Sequence, residues 1–262
     1  MPRKTRAHRK SSSSSAPSSV GTLLRSEKSQ ELYETLNLKR KIWAERKVLL
    51  DGLNPAIKAN FECWAWLPLL DIDYPPLATL IREFYSSLCI HVYDSNTLVK
   101  SWIRGVEFTI TPSVVADALR VLVVQHRVYP YNESPPLDDI MSYITGTSIW
   151  WGSDSWITSA ELIKTTYLFF RIACHSLWPI SHLNIIPLER CAFLYALVIN
   201  ALISFPHLFL RFVNEVYRSS STAHALFHPV FIHRILLFLG LDDFPASELV
   251  HIVAPIGATF LR

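Results

Sequence analysis

The sequence predicts an all-α (mainly α) fold, a multi-helix globular domain with one small β-hairpin that follows a disordered basic N-terminal arm. The chain has 262 residues, and half of them are apolar, which is enough to build one sizeable core. It contains 7 glycines but 16 prolines, a balance that favours short helices separated by breaks over a series of tight β-turns. Apolar residues also recur at helical spacing between many of those prolines.

Residues 1–25 are predicted to form the disordered arm. Serine dominates residues 11–19, and a segment of this composition cannot bury enough apolar surface to offset the entropy lost on ordering. The basic side chains near the start of the arm are Arg3, Lys4, Arg6, Arg9 and Lys10.

The formal charge is distributed unevenly along the chain. Residues 1–50 hold 12 of the 25 Lys and Arg residues and 4 of the 22 Asp and Glu residues, so they carry +8 and the remainder carries −5. A basic arm before a mildly acidic body attracts polyanions or acts as a nuclear import signal. We therefore expect weak, non-specific nucleic-acid binding or nuclear import from the five basic side chains, with a solvated tail as the alternative.

Residues 26–54 are predicted to form an N-terminal helix and a linker. Leu32, Leu36 and Trp43 can share one face of a helix that runs to about residue 50. The turn-forming pairs Asp-Gly and Asn-Pro at residues 51–55 then end it.

The main helical domain is predicted over residues 55–250, with residues 251–262 as a C-terminal tail. Its first clear helix follows Pro75 and Pro76, with Asp73 as a nearby acceptor for free N–H groups. Apolar residues then recur at i, i+3, i+4, i+7 and i+11, as expected for a helix that faces the core: Leu77, Leu80, Ile81, Phe84 and Leu88.

A β-hairpin and a capped helix come next. The segments "SWIRG" and "VEFTI" are rich in β-branched and aromatic residues, and Gly105 between them supplies the turn. Thr111 is then predicted to be the N-cap of a helix, and Pro112 its first residue. The expected buried stripe of this helix is Val114, Val115, Ala118, Leu119 and Leu122.

Residues 125–160 are predicted to be a loop or short helical turns. Trp150, Trp151 and Trp156 in this stretch are either anchors for a partner or staples that hold the loop to the domain. Further helices are expected from residue 160 to 178, from 189 to 205, from 207 to 220, and from Pro229 to a stop at Gly240.

The segment 191–210 contains no Asp, Glu, Lys or Arg, which raises a membrane hypothesis. Its continuously apolar part would form a helix about 21 Å long, against about 30 Å for the hydrocarbon core of a bilayer. A buried core helix is therefore favoured and no membrane is expected, with a membrane-associated protein as an alternative.

The sequence predicts no catalytic residue, no metal and no cofactor, and hence no enzyme. It lacks a Walker loop, a dinucleotide fingerprint, a C-x-x-C pair and a G-x-S-x-G elbow. An enzyme with a non-contiguous site formed by His175, His182 and Glu189 is a further alternative. The four cysteines show no paired spacing, so we expect free thiols in a reducing compartment, nuclear or cytoplasmic.

Three motifs carry a resemblance to a known family. They are "REFY" at residues 82–85, "IRGVEFTITP" at 103–112, and "HSLWPISHLNIIPLERCAFLYA" at 175–196. In this order and spacing the chain resembles the putative plant transposon protein domain over residues 55–245 and, less specifically, the plant mobile domain. The chain departs from the usual pattern in having "LRVLVV" where a Leu-Gly-Leu turn often ends the helix after the hairpin.

The resemblance implies a mostly helical domain carried by plant mobile elements or their descendants, and it brings no catalytic residue or ligand with it. We therefore predict a non-catalytic interaction module of a plant transposon-derived protein. Its surface would bind a protein partner, which the sequence does not identify, and its arm would contact nucleic acid.

Overall fold

The computed structural model of the chain describes residues 24–72, 75–93, 96–131, 133, 135–147, 156–179, 183–241, 249–250 and 253–257. The α-helices of these ranges are α1 Glu27–Leu32, α2 Pro55–Cys63, α3 Leu67–Leu70, α4 Ala78–Ser86, α5 Pro112–Leu119, α6 Leu137–Thr145, α7 Lys164–Ile172, α8 Leu188–Val198, α9 Phe205–Arg218 and α10 Pro229–Phe238. Single π-helical turns at Tyr33–Asn37 and Ala173–Leu177 extend α1 and α7, and short 3₁₀ turns lie at Leu50–Gly52 and Ser159–Glu161.

The strands are β1 Ile42–Trp43, β2 Cys89–Tyr93, β3 Asn96–Ile103, β4 Val106–Ile110, β5 Trp156–Thr158, β6 Ile185–Pro187 and β7 Leu226–Phe227. They form one antiparallel three-stranded sheet in the order β2-β3-β4, a parallel pair of β1 with β7, and an antiparallel pair of β5 with β6.

The prediction of an all-α fold with one small hairpin is wrong. The described chain is about 51% helical and 16% strand and has three sheets, so the fold is mixed α/β. The predicted hairpin exists as β3 and β4, but β2 adds a third strand to it. The other two sheets join segments far apart in sequence through two or three residues each, too few to produce an alternating pattern.

The hairpin and its helix were predicted correctly. Arg104 and Gly105 form the turn between β3 and β4, both with positive φ. The Thr111 hydroxyl accepts a hydrogen bond from the N–H of Val114 at 3.3 Å, and Pro112 is the first residue of α5. In the predicted buried stripe, Val115 and Leu119 are buried, and Val114 and Ala118 are half-buried against the core. The prediction is wrong at Leu122, which is 60% exposed because α5 ends at Leu119.

The apolar segment 191–210 is two helices and not one. α8 ends at Val198, Asn200 has a φ of 52°, and α9 begins at Phe205. Most of its apolar side chains are fully buried, Leu197 and Phe209 among them, as expected for core helices. In the part of the chain that the structure describes, none of the helices combines the length and apolar character needed to cross a bilayer.

The segment that follows α1 was predicted to be helical but turns away after Asn37. Arg40 is buried, and its guanidinium donates to the carbonyls of Val216, Ser219 and Ser221 at the C-terminal end of α9. A cation in this position satisfies carbonyl groups that have no partner within the helix. The chain then runs extended as β1 beside β7.

Glu45, two residues after β1, is completely buried at the start of α10. Its carboxylate accepts hydrogen bonds from the N–H groups of Val230 at 3.0 Å and Phe231 at 3.2 Å. The Nδ1 atom of His228 lies 3.6 Å from the same carboxylate, and its ring stacks on Phe231. The carboxylate thus takes the place of an N-cap side chain for α10.

α6 was missed by the loop prediction for residues 125–160. It begins after Pro136 with Asp138 and Asp139 in its first turn, and it ends at Gly146, which has a φ of 71°. Its side chains Ile140, Met141 and Ile144 are buried, and α6 packs on α8. α6 thereby forms one side of a groove that α8 and α9 complete.

Candidate interaction groove

The basic side chains predicted to form a site lie outside the described residues, as do Trp150 and Trp151. These basic residues are Arg3, Lys4, Arg6, Arg9 and Lys10. The third tryptophan, Trp156, lies in β5 opposite Pro187 and is 42% exposed.

Of the three residues of the alternative enzyme site, His175 and Glu189 lie within the described ranges and His182 lies outside them. His175 is buried in a π-helical turn, where burial and the charges of Arg46 and Arg171 lower its pKa to about 4. Glu189 is instead an exposed residue of α8 that pairs with Arg211. The two described residues therefore have different partners.

No group of three or more His, Cys, Asp or Glu side chains in the described ranges is arranged to hold a metal ion. The ring of His224 contacts Phe227 edge-on, and that of His228 stacks on Phe231. All four cysteines are free, with Cys174 and Cys191 buried and Cys63 exposed.

A groove of about 470 Å³ lies where the first turns of α6 and α8 approach α9. Its lining residues are Tyr129, Pro130, Tyr131, Leu137, Ile140, Leu188, Glu189, Ala192 and Arg211. We call it the tyrosine groove. These described lining residues include no Ser, Cys or His.

Backbone pairing and ring packing hold the tyrosines in place. The N–H groups of Val128 and Tyr129 donate to the carbonyl of Leu202, and the Tyr129 ring packs on Phe193 at 5.3 Å. Tyr131 stands perpendicular to Tyr129, with 5.4 Å between the ring centroids. The groove therefore has two rigid aromatic walls at right angles.

The aromatic surface continues outward from the groove. Tyr195 lies 6.4 Å from Tyr131, and Tyr143 lies 5.4 Å from Tyr195 between ring centroids. Tyr129 is buried and Tyr143 is 53% exposed, so the four rings lead from the core to the surface.

The hydroxyl of Tyr131 is buried and has no hydrogen-bond partner among the described residues. Burial, with a smaller effect of Tyr195, raises the pKa of Tyr131 to about 12, so this hydroxyl is a neutral donor at physiological pH. A buried polar group without a partner costs about 1–3 kcal/mol, which a ligand or water that hydrogen-bonds to it would recover.

The charged side chains at the groove are predominantly acidic. Glu189 and Glu215 both pair with Arg211, the latter at 3.2 Å, and burial raises the pKa of Glu215 although Arg211 opposes this effect. Asp138 and Asp139 are exposed on the first turn of α6, between the two lining residues of that helix. Among the described side chains, these four carboxylates outnumber Arg211 and the nearby buried Arg190, which favours a basic ligand.

The sequence carries a local signal for part of this site. "YPY" at residues 129–131 places two aromatic rings around a proline. The apolar spacing of Leu137, Ile140, Met141 and Ile144 is that of a helix, with a proline before it and Gly146 after it. These elements lie near Arg211 because of tertiary packing, and this proximity could not be predicted from the sequence.

A family model described as putative plant retrotransposon-related domain matches residues 65–242. The match includes the three-stranded sheet and all lining residues of the tyrosine groove. No curated protein and no solved structure matches the chain.

Proposed function

Because the chain belongs to the family of putative plant retrotransposon-related domains, we propose that it is a non-catalytic interaction module of a retrotransposon-derived protein. In this proposal the tyrosine groove binds a basic, proline-containing segment of a partner protein. The family match bears out the resemblance to plant transposon-related domains, and the boundaries of the predicted arm, linker, domain and tail stay a prediction.

The observation that carries the proposal is the pair of perpendicular tyrosines with an unpartnered hydroxyl. Grooves lined by aromatic rings bind proline-rich segments, because such segments are already extended and lose little entropy on binding. Tyrosine also offers a large contact area with few rotatable bonds and is enriched at interfaces. The Tyr131 hydroxyl would donate to a backbone carbonyl of the bound segment, since carbonyls of a polyproline II chain have no internal partner.

The charge of the rim selects among such segments. Asp138, Asp139 and Glu189 are exposed beside apolar walls, and Arg211 is already shared between two glutamates. A segment with Lys or Arg between its prolines would gain from these carboxylates, whereas one with Glu would be repelled. The proposed partner is therefore basic.

This proposal is tested with two synthetic peptides that share a repeating proline framework and differ only in carrying arginine or glutamate between the prolines. We expect the arginine peptide to bind in calorimetric titrations and the glutamate peptide to bind at least about tenfold more weakly, a difference of about 1.4 kcal/mol. In Ala192→Trp the new indole fills the groove and should abolish binding, while Tyr217→Ala, on an exposed residue of α9 away from the groove, should leave it unchanged.

Tyr131→Phe provides a second variant that keeps the ring and removes the hydroxyl. It should raise the free energy of unfolding of the isolated protein by about 1 kcal/mol, because the buried hydroxyl without a partner is removed. It should also lower the affinity for the arginine peptide several-fold. Equal binding of both peptides, or binding that survives Ala192→Trp in a folded variant, would refute the groove as the binding site.

The basic arm supports a second function, contact with nucleic acid. Residues 1–23 carry five Lys and Arg residues and no Asp or Glu, which leaves 20 basic and 22 acidic residues in the remainder. Such an arm neutralises phosphates without reading bases. It also fits nuclear import, and we propose a nuclear or cytoplasmic location.

Deletion of residues 1–22 separates the arm from the folded domain. We expect the truncated protein to keep its far-UV circular dichroism and melting temperature and to lose at least about tenfold in affinity for a short random-sequence DNA duplex at low salt. The full chain should show affinity that falls with added salt, and a variant with the five basic residues changed to glutamine should behave like the deletion. Unchanged, salt-dependent binding after deletion would refute this role.

A further inference from the structure

Three exposed carboxylates beside the tyrosine groove have no ionic partner among the residues that the structure describes. Glu133 lies between the lining residues Tyr131 and Leu137 in the chain. Asp138 and Asp139 follow Leu137 on the first turn of α6. None of these three carboxylates forms an ion pair with a described Lys, Arg or His. They can therefore bind a cation without first releasing another one.

Tyrosine rings stand close to these carboxylates. Tyr143 is exposed and packs edge-on against Tyr195. Burial raises the pKa of Tyr195, and Tyr143 and Asp139 act in the same direction, so the charge of Asp139 reaches the outer rings of the groove. A guanidinium can stack on a tyrosine face while a nearby carboxylate accepts its N–H groups. The outer end of the groove thus suits arginine.

One segment of this chain has the composition that the groove is proposed to bind. Residues 1–23, which precede the first described residue, contain five Lys and Arg residues, two prolines and no Asp or Glu. One of the prolines, Pro2, stands directly before Arg3 and Lys4. The remainder of the chain carries 20 basic and 22 acidic residues, so the arm and the rim of the groove have opposite charge.

The arm is long enough to reach the groove. α1 leads to Arg40, whose guanidinium binds carbonyls at the end of α9, and α9 carries Arg211 of the groove wall. Along these residues the distance from Leu24 to Arg211 is at most about 50 Å. The chain from Arg6 to Leu24 spans up to about 60 Å when extended. The basic residues can therefore lie in the groove of the same molecule.

The covalent connection makes a weak contact sufficient. A segment tethered this closely has an effective concentration on the order of 1 mM at its binding site. For an intrinsic dissociation constant of about 0.1 mM, the arm would fill the groove about 90% of the time. A competing peptide would then bind about tenfold more weakly than to an empty groove.

We propose that the basic arm occupies the tyrosine groove of its own chain and competes there with the partner segment. This inference rests on the proposed function of the groove and adds its regulation. An arm that binds nucleic acid is withdrawn from the groove, so nucleic acid and the partner segment each favour binding of the other.

The test uses full-length protein and the proline peptide that carries arginine. In the arm variant, glutamine replaces all five basic side chains of the arm while the chain length stays the same: Arg3, Lys4, Arg6, Arg9 and Lys10. We expect the peptide to bind the arm variant about tenfold more tightly than the wild type in calorimetric titrations, because the groove is vacated.

A matched control separates this effect from the loss of net charge. It also removes five positive charges, all at exposed positions outside the groove, and should bind the peptide as the wild type does: Arg25→Gln, Lys28→Gln, Lys39→Gln, Lys164→Gln and Arg218→Gln.

Amide NMR spectra report the occupancy of the groove without any added peptide. The wild type and the arm variant should differ at Tyr131 and Leu188, and the difference should disappear when both proteins also carry Ala192→Trp. The shifts should be the same at low and high protein concentration, since arm and groove belong to one molecule.

Three results would overturn the inference, and they differ in what they leave standing. Equal peptide affinity of the wild type and the arm variant, or unchanged groove signals, would refute occupancy by the arm and leave the groove as a binding site. Shifts that appear only at high protein concentration, together with a dimer in sedimentation, would assign the groove to the arm of a second copy. Absence of peptide binding to both proteins would refute the proposed function itself, and this inference with it.

Discussion

Replacing Glu45 by alanine is expected to lower the free energy of unfolding by about 3 kcal/mol or more, a large share of the stability of a typical domain. The carboxylate is completely buried and accepts hydrogen bonds from two N–H groups in the first turn of α10. Without it, Val230 and Phe231 would each keep a buried donor without a partner, at about 1–3 kcal/mol per group. The His228 ring, which stacks on Phe212 and Phe231, would also lose the carboxylate that lies 3.6 Å from its Nδ1 atom.

Guanidinium chloride denaturation of the wild type and of Glu45→Ala measures this loss as a lower midpoint with an unchanged slope. Glu62→Ala is the matched control, because Glu62 lies on the exposed side of α2 with only a 4.0 Å contact to Lys58, and its loss should cost less than about 0.5 kcal/mol. Glu45→Gln keeps one carbonyl oxygen and should fall between the two. A Glu45→Ala protein as stable as the wild type would mean that Glu45 does not support α10.

Local signals were sufficient for the elements whose information lies within a few neighbouring residues. The N-cap Thr111 with Pro112, the turn at Gly105 and the stop at Gly240 were all predicted from two or three residues and are present. The apolar stripe of α4 was predicted from its spacing alone, and four of its five members are buried. Capping and periodicity depend on backbone geometry that the adjacent side chains determine.

Long-range pairings were not predictable in this way. β1 pairs with β7 across more than 180 residues of chain, and only two residues of each strand take part. Neither segment has strand periodicity, so its extended conformation is decided by the neighbour it meets and not by its own composition. The helix predicted through Trp43 failed for this reason, because Arg40 and Glu45 bind the ends of α9 and α10 instead.

The candidate sites also differ in whether local sequence or long-range packing determines them. The arm was predicted from composition, since charge and serine content need no tertiary structure. The tyrosine groove combines side chains from at least three separated segments, and their convergence exists only in the folded chain.

Acidification is expected to destabilise the protein through His175. Burial is the main reason that its pKa falls from 6.5 to about 4, and the charges of Arg46 and Arg171 lower it further. Below pH 6.5 the unfolded chain therefore takes up a proton that the folded protein does not bind until about pH 4. Stability depends on this difference in bound protons, so it is lost as the pH falls through that window, by about 1–2 kcal/mol between pH 7 and pH 5.

The measurement is the difference in unfolding free energy between the wild type and His175→Gln at each pH, because groups that both proteins share then cancel. This cancellation matters, since the buried Glu83 and the partly exposed Glu215 have raised pKa values and contribute with the opposite sign in acid. We expect the wild type to lose stability relative to His175→Gln as the pH falls from 7 to 5. Ser176→Ala, a change to a buried and non-titrating neighbour that donates to the carbonyl of Arg46, should lower stability by a pH-independent amount. A wild-type difference that stays constant with pH would show that His175 takes up its proton equally in both states.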